Sequence, residues 1–196
     1  MSQTFVIKVS ASVREQICTK DKTTKKIVLT PIISVEEQTE VLEGELTKKG
    51  WKQDSQNKKV WVKQRGNVKE TLNLEDMTVE AEIELERTLE RTETKTVHGD
   101  RDHNNETALR QRAQGELQKE IAITDLERQR AKQKLQEEIT NELEETEQER
   151  TQGLNEVVQG VYSESLKRKA GRMGTVTEIR EGTAGEDYEL VIKLQQ

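Results

Sequence analysis

One short stretch of this sequence gathers side chains that could do chemistry: His98-Gly99-Asp100-Arg101-Asp102-His103. It holds both histidines of the chain. Imidazole and carboxylate together suit zinc, nickel or iron, so His98, Asp100, Asp102 and His103 are the candidate ligands of a metal-dependent enzyme. A hydrolytic site of this kind needs further histidine ligands downstream, and the sequence has none. The competing reading is a solvated connector, because Gly, Asp and Asn are residues that turn a chain and cap the helix after it. The connector is the favoured reading. No catalytic residue, metal or cofactor is assigned.

The other chemically suggestive residues have plainer explanations. Cys18 is the single cysteine. It has no neighbouring histidine and no second thiol, and a nucleophile needs a base to activate it. It is expected as a small core thiol. With no intrachain disulfide available, a reduced, cytoplasmic setting is expected. Trp51 and Trp61 read as sheet packing, since no basic groove accompanies them as a base-stacking platform would require. Lys167 to Arg172 (KRKAGR) is a basic patch at a helix C-terminus, where cations complement the helix dipole. No phosphate loop, dinucleotide fingerprint or nucleophile elbow is present.

Composition narrows the function classes. Apolar residues make up 31% of the 196 and aromatics 3%, too few for one large core. Charged residues are 36%, with a net charge of −6 and the two signs interleaved. Long-range attraction to nucleic acid or to an anionic membrane is therefore not expected. The start of the chain lacks the pattern of a signal peptide, and no run approaches the ~20 apolar residues of a membrane span.

The elements that must position these residues fall into four stretches. Residues 1–97 read as an α+β module, an antiparallel sheet carrying one short helix. Strands are expected at 3–9 and, from the apolar run KIVLTPII, at 26–33, with a polar turn between them. Pro31 should sit at a strand end or edge. Ser34 and Glu37 form a capping box for a helix over 35–49, which Gly50 stops. Val60 and Val62 should share one strand face, with Trp61 on the other. Residues 68–74 alternate weakly. From Val79, the apolar Val79, Ala81, Ile83 and Leu85 alternate with Glu80, Glu82, Glu84 and Glu86, which predicts a strand with one buried and one acidic face.

Residues 98–104 form the polar connector. Residues 105–173 form a long, coiled-coil-like helical arm free of proline and rich in Glu, Gln, Lys, Arg, Leu and Ala. Its apolar stripe recurs every four residues, so it winds round the helix and must be interrupted. It is interrupted by TDLERQR (124–130) and by EETEQERTQ (144–152), and Thr124 and Glu127 also match a capping box, so a break is expected near 124. A straight arm would run roughly 100 Å. The favoured alternative is a helical hairpin, turning near Thr140-Asn141 or near Thr151-Gln152-Gly153. The densest stripe, Leu154, Val157, Val158, Val161, Tyr162 and Leu166, is the candidate partner interface. Residues 174–196 read as a β-hairpin that joins a sheet, either its own or that of a partner copy, since an isolated hairpin is marginal in water.

The run ESLKRKAGRMGTVTEIREG, followed by YELVIKL, resembles the tail of small bacterial accessory proteins encoded beside FtsH-type AAA+ ATPases, the ternary-system components. There, a helix ending in LKRKA leads through glycine into a strand and a final apolar strand. The likeness covers residues 164–194. It implies a non-enzymatic adaptor or regulator with an AAA+ ATPase as partner, and it carries over no catalytic residue. The expected function is thus a cytoplasmic interaction or scaffold protein. Its partners are proteins, further copies of itself included, rather than nucleic acid or membrane. The metal-dependent enzyme is the alternative.

Overall fold

The computed structural model describes residues 4–100, 105–184 and 187–195. The elements are β1 (Thr4–Lys26), α1 (Val35–Lys48), β2 (Lys52–Gln53), β3 (Val60–Arg65), β4 (Val68–Asn73), β5 (Thr78–Asp100), α2 (Glu106–Glu120), α3 (Asp125–Glu145), α4 (Glu147–Met173), β6 (Thr175–Ala184) and β7 (Asp187–Gln195). This is the expected α+β class. A five-stranded sheet has the order β1-β5-β4-β3-β2, and β6 and β7 pair as a separate hairpin. The chain divides into two compact units, Met1–Asp21 with Glu84–Thr140, and Lys22–Ile83 with Asn141–Gln196.

In the first unit β1 is longer than the sequence suggested. SVREQICTK (12–20), a mixed stretch that could extend a strand, does so, and KDKTTK (20–25), expected as a polar turn, continues the strand as well. Their side chains alternate, with Ile17 buried and Arg14, Gln16, Cys18 and Lys20 exposed. Period two is enough to hold a strand even where the apolar residues are sparse. On the exposed side, β1 and β5 are laced by side-chain contacts: Ser10 with Thr94 at 3.1 Å, Arg14 with Glu90 at 3.2 Å, and Cys18 with Glu84 at 3.2 Å. Partners descend along β5 as they rise along β1, so the strands run antiparallel.

Cys18 is therefore not a core thiol. It sits on the exposed face and donates to the Glu84 carboxylate. That hydrogen bond, with some desolvation and the charges of Glu84 and Glu86, pushes the thiol pKa up.

The opposite face of this unit is apolar. Ile7 and Val9 of β1 pack with Ala113 and Leu117 of α2, and Phe5, Val97 and Leu109 close the edge. Gly99 lies beneath the Phe5 ring, where an added Cβ would collide with it. That glycine is a packing residue inside β5, not the turn of a loop.

Helix α2 starts at Asn105, whose side chain accepts from the Thr107 amide at 3.0 Å. It ends at Ile121, and residues 121–124 break the arm. The expected capping box is present. The Thr124 amide donates to Glu127 at 2.8 Å, and the Glu127 amide donates back to the Thr124 hydroxyl at 3.3 Å. The Thr124 amide, and after it the Thr124 hydroxyl, which donates to the same carboxylate at 2.8 Å, hold the Glu127 carboxyl below the usual carboxylate range. Helix α3 buries Leu135 and Ile139. Its rims are tied to both strands, by Arg128 to Glu15 at 2.8 Å, Gln136 to Asp21 at 2.9 Å and Arg87 to Glu138 at 2.7 Å.

The second unit holds the larger core. Val41, Leu42 and Leu46 of α1 meet Trp51, which precedes β2, Trp61 and Leu72 from the sheet, and Val157 and Val161 of α4. Both tryptophans are packing residues here. Ser34 caps α1 by accepting from the Glu37 amide, and Gly50 takes a φ of 81° just after the helix.

The run KIVLTPII is not a strand: residues 27–34 form an irregular segment. Pro31 cannot donate to a ladder. Side chains serve the backbone instead. Gln38 accepts from the Ile32 amide and donates to the Thr30 carbonyl, both at 3.0 Å, and the Tyr162 hydroxyl accepts from the Thr30 amide at 2.9 Å. Ile27, Leu29 and Ile33 then pack on the core as loop residues.

Three charged residues are buried in this unit, and Glu45 among them pairs with Lys48 at 2.6 Å. Glu70 is 1% exposed and accepts from Arg65 Nε at 3.1 Å. Arg150 donates to the Leu143 carbonyl at 2.7 Å and to the hydroxyls of Thr146 and Thr23 at 3.3 and 3.4 Å. Thr146 separates α3 from α4, so Arg150 satisfies a carbonyl in the last turn of α3.

The arm is thus broken at 121–124, and α3 passes into α4 at Thr146, which keeps a helical backbone and helical hydrogen bonds on both sides. Neither point is where a hairpin turn was expected: Thr140-Asn141 lies inside α3, and Thr151-Gln152-Gly153 inside α4. The terminal hairpin likewise does not add to the five-stranded sheet of its own chain.

Three outcomes test this account. Replacing Arg150→Ala should lower unfolding free energy by about 1–3 kcal/mol in urea titrations, because a buried carbonyl loses its donor. Changing Glu84→Gln should speed alkylation of Cys18 at mildly alkaline pH, because the group that raises the thiol pKa loses its charge. Glu127 has its folded pKa depressed, so its contribution to stability is present above the unfolded pKa and lost as pH falls through the folded one. The stability gap between parent and Glu127→Ala should be open at neutral pH and shrink on acidification.

Candidate interaction surface

Of the four candidate metal ligands, only His98 has a described side chain. His98 is an exposed residue near the end of β5, not part of a loop. Asp100 ends the same strand, and its side chain lies outside the described set. Asp102 and His103 lie outside the described residues altogether. No group of three or more His, Cys, Asp and Glu side chains is placed to hold a metal ion among the described residues.

The acidic face predicted for β5 is an exposed strand face, but its charge is partly matched. In the second unit Glu80 pairs with Lys22 at 3.1 Å, and in the first unit Glu84 accepts from Cys18 and Glu90 pairs with Arg14. A face of interleaved sign suits solvation and weak, exposed ion pairs more than the capture of a basic ligand.

The stripe on α4 proposed as a partner interface needs correcting residue by residue. Val157 and Val161 are 1% and 0% exposed and belong to the core with α1. Leu154 packs against that core, Val158 is half-buried, and Tyr162 is engaged with Thr30. These residues look available in the sequence because the helix that covers them, α1, lies more than a hundred positions away. Gly160 allows the close crossing: an added Cβ there would collide with the Glu45 side chain of α1. Only Leu166 of the six is exposed, at 38%.

Leu166 leads to the surface that sequence reasoning missed. With Met173 on the same helix and Leu190, Ile192 and Leu194 on β7, it lines an open apolar groove of about 320 Å³. Met173 is 65% exposed. Lys169 is the one charged residue in the lining. The alternation of Tyr188, Leu190, Ile192 and Leu194 was a legible signal for one apolar strand face. That this face is only partly covered was not. A second groove of about 300 Å³ lies between α1 and the irregular segment, lined by Leu29, Pro31, Val35 and Met77 among others. Val28 and Val35 are exposed nearby.

The basic patch does more than complement a helix dipole. Lys167 pairs with Glu181 of β6, Arg168 with Glu164 at 3.4 Å, and Arg172 with Glu37 of α1. Lys167 is held protonated by the Glu181 carboxylate, and Glu181 is in turn held below the usual carboxylate range by Lys167. Arg172 does the same to Glu37. Ser163 also donates to Glu181 at 3.2 Å. These contacts seat the hairpin on α4 and set the groove walls. What remains exposed there is apolar surface beside paired charges.

Among the described residues no helix is long and apolar enough to cross a membrane. No curated protein and no solved structure matches the chain. A family model does. The FtsH ternary system domain X5 model matches residues 1–195, so the likeness extends from the C-terminal tail over both units. The chain belongs to the FtsH ternary system domain X5 family.

Proposed function

We propose that this protein is a non-enzymatic adaptor or scaffold of the cytoplasm that regulates an FtsH-type AAA+ ATPase complex. The observation that carries the reading is the family match over residues 1–195, which makes the sheet, the arm and the hairpin parts of one ternary-system component. The exposed apolar surface at Leu166, Met173 and Leu194 supports it, because such surface costs solubility unless it serves contact. So does the spread of charge into surface pairs with no acid–base couple in either groove.

The test is biochemical. The full chain, co-expressed with the FtsH-type ATPase of the same source, should co-purify with it and change its rate of ATP hydrolysis or of substrate proteolysis. If neither happens, the adaptor reading fails. Metal analysis of the purified chain provides the second arm. Stoichiometric metal that is lost in both His98→Ala and His103→Ala would replace the adaptor with the metal-dependent enzyme.

A further inference from the structure

The outer edge of β7 carries an inference of its own. β6 and β7 form a two-stranded sheet, so each keeps one unpaired edge among the described residues. An open edge is a template for another strand. The two edges are not equivalent. Pairing in β6 jumps from Val176 to Glu178 against the consecutive Leu194 and Lys193, which leaves Thr177 as the extra residue of a bulge. Gly182 falls within the same strand. Bulges blunt an edge and glycine weakens it. β7 has no bulge, no proline and no glycine over its nine residues.

The side chains of β7 alternate cleanly. Leu190, Ile192 and Leu194 line the groove beside α4, and Glu189, Val191 and Lys193 occupy the other face. Glu189 and Lys193 are both exposed and lie symmetrically about Val191, the middle of the strand.

We propose that β7 pairs antiparallel with β7 of a second copy of this chain, with the two-fold axis at Val191. In that register all nine residues of the strand have an opposite residue. Glu189 faces Lys193 of the second copy, and the same pair recurs on the other side of the axis. Leu190 faces Ile192, and Tyr188 faces Leu194, so the apolar faces stay together. Moving the axis to Leu190 sets Val191 against Glu189, and moving it to Ile192 sets Val191 against Lys193, so of the three only the axis at Val191 gives both Glu189 and Lys193 an opposite charge. For these two charges the strand is self-complementary in that register, as an isologous interface requires. The product is a four-stranded sheet, which passes the three-strand threshold for independent stability. It also brings the exposed Val191 and Leu194 of each copy under neighbouring side chains.

Sedimentation equilibrium on the full chain tests the pairing. The parent should be a dimer. Glu189→Lys sets Lys against Lys twice, and Lys193→Glu sets Glu against Glu twice. Each alone should weaken dimerisation by roughly tenfold, since like charges opposite one another destabilise a strand pair. An equimolar mixture of the two variants should recover the parent affinity, because the mixed dimer restores both opposite pairs. Circular dichroism matching the parent confirms that each variant is folded. A monomeric parent, a dimer indifferent to both substitutions, or a mixture that does not recover would overturn the proposal. This outcome is separate from the adaptor reading: ATPase binding can fail with the dimer intact, and the reverse.

Discussion

Strand β5 alternates apolar with acidic side chains from Val79 to Glu86, and that alternation decides what can lie on either side of it there. Val79, Ala81 and Ile83 are buried, while Glu84, Glu86 and Glu90 are exposed. One face therefore demands cover, and the other demands water or opposite charge. In the second unit the cover begins with the core that joins Val79 to Leu42, Trp61 and Val157. In the first unit it is the small cluster in which Val97 meets Ala113 and Leu117. A chain with 31% apolar residues cannot build one broad core, and it builds narrow ones along the strands instead.

The helical arm follows from the same constraint. Its apolar residues recur every four positions, so a straight helix would carry them away from any flat surface. The arm is divided at 121–124 and at Thr146. Each break is chemically prepared. Thr124 and Glu127 exchange hydrogen bonds at the first, and Arg150 reaches back to the Leu143 carbonyl at the second. The arm behaves as three helices, each serving a local core, rather than as a coiled coil zipped along one seam.

Buried charge is used sparingly and always with partners. Glu70 is held by Arg65, which also reaches Glu149 on α4. Such contacts add little net stability, but they are costly to break, so they fix which helix face meets the sheet. The hairpin is seated in the same manner, through Lys167 and Glu181, and its apolar face is left half open beside α4.

Local pattern determined a good deal of this protein. The capping boxes at Ser34 and Thr124, the stop at Gly50, the alternation from Val79 and the terminal hairpin are all written in side chains a few positions apart, because capping and pleating are short-range physics. The motif KRKA and the strands after it likewise pointed to the ternary-system family before the match over residues 1–195. Tertiary structure alone decided the rest. Residues 27–33 look like a strand until Gln38 and Tyr162 claim their backbone groups. Gly99 looks like a turn until the Phe5 ring lies on it. Val157 and Val161 look free until α1 crosses at Gly160, and Cys18 looks buried until β1 extends past it to face Glu84. In each case the deciding partner is distant along the chain, and burial belongs to pairs of residues that only folding brings together.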